Sequence, residues 1–146
     1  MVTQRFADFW TSQKTINEAI FYRPNKSHSQ VYLLEEVGFV GMDCEGIYVS
    51  GNYNCRDGSM TVNFYLKGVG SVRRFCLGGP DHGDAGRFHE HILEKDSDAY
   101  PENNLPYAIA RPDMEGLDPE VAWRKICGEA SVSHTDRYSD PREWCK

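Results

Sequence analysis

Hydrophobic residues in the first segment recur near every third or fourth position. Phe6, Phe9, Trp10, Ile16 and Ile20 share one face of a helix predicted from Thr3 to about Tyr22, with Thr3 as N-cap and Pro24 closing it, and with Ala19 to Arg23 as an extended stretch in the alternative. Asn25 to Ser29 reads as a loop. From Gln30 the period changes. Val31 to Glu35, Gly38 to Met42 and Ile47 to Asn54 are short runs rich in β-branched and aromatic residues, and Asp57-Gly58 is a hairpin signal. In Ser59 to Lys67 the alternation is clean. Met60, Val62, Phe64 and Leu66 point one way, and Thr61, Asn63, Tyr65 and Lys67 the other. Ser71 to Leu77, Arg87 to Leu93 and Tyr107 to Ala110 are further strands. Between them lie the glycine-rich turn Gly78 to Gly86 and a polar excursion from Glu94 to Pro106.

Asp118 and Pro119 open a second helix as N-cap and first helical residue. Val121, Ala122, Ile126 and Ala130 are expected to face the core, with Trp123 and Cys127 at its margin and Gly128 as an early stop. The tail 131–146 is polar, but Tyr138 and Trp144 predict that it docks. The pattern as a whole predicts one α+β domain over residues 1–146. It has an N-terminal helix, a mainly antiparallel β-meander sheet of about five to seven strands, and a C-terminal helix.

Composition adds limits. The 146 residues carry a formal charge of −6, and Arg73-Arg74 is the only adjacent arginine pair. Broad nucleic-acid binding needs a lysine- and arginine-rich surface, so that class is not expected. No apolar run is long enough to span a bilayer, and the first ten residues lack the apolar core of a signal peptide. A cytoplasmic protein is the resulting expectation. Cys44, Cys55, Cys76, Cys127 and Cys145 are odd in number and contain no C-x-x-C pair. They are expected to be free thiols, with Cys44 and Cys55 the pair of choice if one forms.

Candidate chemistry concentrates in one place. Three of the five histidines, His82, His89 and His91, lie within ten residues. On a strand, His89 and His91 face the same side about 6.6 Å apart, while Phe88, Glu90 and Ile92 face away. Two imidazoles so placed suit a divalent metal such as zinc or iron, and His82 would join them if the glycine turn folds back. Asp81, Asp84, Glu94 and Cys76 are further ligand candidates. Cys76 also pairs with these histidines as a candidate nucleophile and base. His89 or His91 with Glu90 and Arg73 or Arg74 would suit acid–base cleavage of RNA, as in a small ribonuclease.

Two resemblances follow from these residues. Gly83, five residues, His89-Glu90-His91 and then Glu94 resembles the first cupin motif, one residue short before the glutamate. No second cupin motif is visible after residue 100. That resemblance implies a metal-dependent enzyme, cupin-like or hydrolytic, using His82, His89 and His91. The order Gly79-Pro80-Asp81-His82 followed by His89-Glu90-His91 is similar to the G-P-x-H…H-x-H core of small uncharacterised prokaryotic domains. It implies a small accessory or regulatory protein acting through a protein partner, in a defence, toxin–antitoxin, phage or CRISPR-associated setting. The oligomeric state is not legible in the sequence.

Overall fold

A computed structural model describes residues 1–81, 83–99 and 105–146. The chain begins with helix α1 (Val2–Thr11), which is followed by the short strand β1 (Lys14–Thr15). Then come β2 (Arg23–Asn25), β3 (His28–Gly38), β4 (Val40–Gly41), β5 (Ile47–Asn54), β6 (Met60–Leu66), β7 (Gly70–Leu77), β8 (Phe88–Ile92) and β9 (Ala108–Ala110). Helix α2 (Pro119–Glu129) and strand β10 (Val132–Ser133) lead into a last helical turn at Pro141–Trp144. The architecture is α+β. Seven strands form an antiparallel meander in the order β2-β3-β5-β6-β7-β8-β9, and a second sheet joins β10, β1 and β4. No helix among the described residues is long and apolar enough to cross a membrane.

Both helices pack on one face of the meander. The alternation of β6 buries Met60, Val62, Phe64 and Leu66, and β7 adds Phe75 and Leu77. From α1, Phe9 and Trp10 meet Phe64 edge-on at ring distances of 6.2 and 5.3 Å. From α2, Ala122, Trp123, Ile126 and Cys127 join the same core, and Trp123 stacks on Tyr138 at 5.9 Å.

The structure departs from the sequence pattern at both helices. The first helix stops at Thr11, where Ser12 turns extended and its hydroxyl bonds the Asp8 carbonyl and the Asp43 carboxylate. Thr3 is not its cap. The Thr3 amide and hydroxyl instead bond Asp96, at 2.9 and 2.8 Å. On α2, Val121 is turned outward and Trp123 and Cys127 are buried, and the helix runs past Gly128 to Glu129.

The tail docks as expected, and its anchor is a correction. Cys55 and Cys145 form a disulfide, while Cys44, Cys76 and Cys127 are free thiols. Cys145 follows the turn whose Trp144 stacks on Tyr32 at 5.2 Å and donates to the Tyr22 carbonyl. That docking brings a thiol 90 residues away in sequence to the end of β5. A disulfide is characteristic of oxidising surroundings. The expectation of five free thiols is corrected for Cys55 and Cys145, and the partner of Cys55 is Cys145 rather than Cys44, which stays free.

Candidate metal centre

The candidate centre is built on the hairpin β7–β8. Its register pairs Leu77 with Phe88, Cys76 with His89, Phe75 with Glu90, and Arg74 with His91. Residues directly opposite one another share a face. Cys76, His89 and His91 therefore stand together on the face turned away from the helices. Their ligand atoms all lie within 4.8 Å of one another. Donors around a tetrahedral zinc ion sit about 3.4–3.6 Å apart, given Zn–N near 2.0–2.1 Å and Zn–S near 2.3 Å. Small side-chain rotations close that gap.

Each histidine ring is held from behind. Nδ1 of His89 lies 2.8 Å from the Gly86 carbonyl oxygen, and Nδ1 of His91 lies 2.7 Å from that of Leu105. A carbonyl only accepts, so each Nδ1 carries the proton and donates. In the neutral ring the lone pair is then on Nε2, the arrangement that metal-bound histidines use. The rings meet edge-on at 4.9 Å, and both side chains are only 4% exposed. The acceptors come from the two loops flanking β8. Gly86 has φ +73°, a conformation glycine adopts without a Cβ penalty. Leu105 has φ +48°, uncommon for a branched side chain, and it is fully buried.

The opposite face of β8 is fixed by charge. Glu90 sits 3.0 Å from Arg111 and 3.7 Å from Arg73. Arg111 continues to Glu129 of α2 and to Asp113, at 2.5 and 3.0 Å. Burial drives the Arg73 guanidinium below its ordinary value, and Glu90 is the largest influence opposing that. The bonds of Arg111 hold the Asp113 carboxyl well below the usual carboxylate range. This network ties the histidine-bearing strand to the second helix. It also keeps Glu90 on the far side of the sheet from the histidines, so an acid–base set of His89, His91 and Glu90 is not assembled.

Of the expected ligands, His89 and His91 are brought together, and His82 lies outside the described residues. Cys76, a secondary candidate in the sequence, is the residue facing His89. Counting back from a Leu77–Phe88 closing pair would have put it there. Asp81, Asp84 and Glu94 are exposed. His134 has a separate role. It accepts from the Trp123 indole at 3.0 Å and donates to the Glu18 carbonyl at 2.9 Å. No family model, curated protein or solved structure matches this chain.

Proposed function

We propose that the chain is a metal-dependent protein that takes one zinc ion on Cys76, His89 and His91. The observation that carries this reading is the convergence of the three donors, with both histidines oriented by backbone carbonyls. A thiolate with two imidazoles suits zinc or copper better than iron, which prefers sulfur as part of a cluster. Three protein ligands is the count found in catalytic zinc centres, and metal-assisted hydrolysis is the reaction class such centres serve.

Elemental analysis and zinc titration of the purified protein test this. One zinc per chain is expected, with affinity falling at least tenfold in His89→Ala, His91→Ala and Cys76→Ala. A protein that takes up no zinc, and whose unfolding a chelator leaves unchanged, would overturn it.

Action through a protein partner is a proposal of a different class. It rests on the acidic charge and on Val40 and Met42, which lie two residues apart and stand 58% and 77% exposed. Pull-down with the wild-type chain and a Val40→Ser/Met42→Ser variant tests it. A partner lost only in the variant supports the reading, and the absence of any specific partner sinks it.

A further inference from the structure

We propose that the Cys55–Cys145 disulfide is a redox latch. When a dithiol reductant opens it, residues 140–146 leave the body of the protein and uncover a cleft that they wall.

The two cysteines stand on unequal supports. Cys55 directly follows β5, and its amide bonds the Gln30 carbonyl at 2.8 Å, so the sheet holds it. Cys145 is the penultimate residue and sits just past the last helical turn. The chain before that turn is anchored at Tyr138 and Ser139, through the Tyr22 hydroxyl and the Ile20 carbonyl. Beyond Ser139, among the described residues, the backbone bonds of the segment are internal, from Glu143 to Asp140 and from Cys145 to Arg142. The Asp140 side chain caps the same turn by accepting from the Arg142 amide. The turn is thus a self-contained unit hinged after Ser139.

The ties between this unit and the sheet are few. Pro141 is buried, Trp144 stacks on Tyr32 and donates to the Tyr22 carbonyl, and Arg142 pairs with Asp118 at 3.1 Å. Trp144 remains 44% exposed, and the side chains of the ion pair are 46% and 63% exposed. Exposed ion pairs contribute little to stability. The covalent bond is therefore the strongest tie. Both of its cysteines are half-buried rather than enclosed, within reach of a small dithiol.

A cleft lies behind Arg142. Tyr53, Met60, Leu77, Met114 and Leu117 line about 120 Å³ between the end of the meander and the start of α2. Asp118 and Arg142 line it too, and their ion pair closes one side. Met60, Leu77 and Met114 are buried while the segment is docked. Departure of the segment removes the Arg142 wall and gives these side chains to solvent. The latch thereby converts redox state into exposure of an apolar surface.

Opening proceeds by thiol–disulfide exchange. A thiolate of the dithiol attacks one sulfur, the S–S bond breaks, and the other cysteine leaves as a thiolate and takes a proton. The reagent's second thiol, deprotonated, then displaces the protein from the mixed disulfide. The protein gains two electrons and two protons, and the dithiol departs as a disulfide.

Hydrogen exchange of the full chain, with dithiothreitol as reductant and below the melting temperature of the reduced form, tests the latch. After reduction the amides of residues 142–146 should exchange at least tenfold faster, while those of β6 and β7 keep their protection. Cys55→Ala/Cys145→Ala should match reduced wild type with or without dithiothreitol. In that variant dilute hydrogen peroxide should oxidise Met60 and Met114 at least tenfold faster than in disulfide-bonded wild type. Unchanged exchange at 142–146 would mean that the segment stays docked without the bond and would overturn the proposal. Equal loss of protection in β6 and β7 would overturn it as well, because the disulfide would then hold the whole fold rather than one segment. Equal methionine oxidation would show that the cleft stays covered, which removes the apolar readout.

Discussion

His134 shows what a histidine does in this fold without a metal. Its two nitrogens are committed to the Trp123 indole and the Glu18 carbonyl, an arrangement that fits only the neutral ring. Burial lowers its pKa below the ordinary 6.5, and the neighbouring Arg124 charge acts in the same direction. The unfolded chain therefore binds the extra proton first. The stability His134 contributes is complete above about pH 6.5 and is lost as pH falls toward its lowered value. Urea midpoints measured between about pH 7.5 and about pH 5 should fall more steeply for wild type than for His134→Gln. Parallel pH profiles would show that the ring is not the titrating group. Gly51 is the second sensitive residue. A methyl group there would run into the Thr61 carbonyl oxygen across the β5–β6 pairing. Gly51→Ala should lower stability by about 2–3 kcal/mol by overpacking, read as a shift in the denaturation midpoint. The sequence revealed His89 and His91 as a pair because their spacing alone sets their common face. It could not rank Cys76 above Asp81 or Glu94, because that depends on which residue of the next strand lies opposite.

At the scale of elements, the clearest correction concerns the end of the first helix. Ile16 and Ile20 continue a spacing of four, which is helical, but four is also an even number. Lys14, Ile16, Ile20 and Tyr22 are all buried along an extended chain, with the Ile16 amide bonded to the Ser133 carbonyl and Ile20 bridging Tyr138. Period alone cannot separate these two solutions. What ends the helix is Lys14. Its ammonium donates to the carbonyls of Phe9, Ser12 and Ala130 and lies 4.3 Å over the Phe9 ring. It caps the carbonyl ends of both helices, where their dipoles favour a cation. Burial lowers its pKa to about 8, so at neutral pH it keeps the three protons that three acceptors need. Lys14→Met should cost about 2–3 kcal/mol, because buried carbonyls lose their donor. A variant as stable as wild type in urea would contradict this capping role. On α2, Val121 is apolar yet half exposed. The stripe at 119, 122, 123, 126, 127 and 130 follows the i, i+3, i+4 rule, and Val121 lies outside it.

At the scale of the whole molecule, the meander is legible because its strands pair in chain order, save that the short β4 is passed over, and because β6 alternates cleanly. The tail was not, because its fixing points are remote. Tyr22 and Tyr138 share a hydroxyl bond of 3.0 Å, and Cys55 joins Cys145. No local spacing encodes either contact. A disulfide closing a loop of 90 residues should contribute about 4 kcal/mol by restricting the unfolded chain. Cys145→Ser, or wild type under strong reductant, should unfold at a clearly lower temperature. Equal melting temperatures would place the stability elsewhere. The contrast between local and remote pairing also bears on the birth of the protein. The Cys76, His89 and His91 donors sit in one hairpin, whereas β1 waits for β10, with Lys14 paired to Val132. On the ribosome the metal hairpin emerges well before the segment that closes the second sheet. On the zinc reading proposed above, a nascent chain whose β7–β8 hairpin has left the exit tunnel while Val132 has not should already capture zinc, before the second sheet is closed.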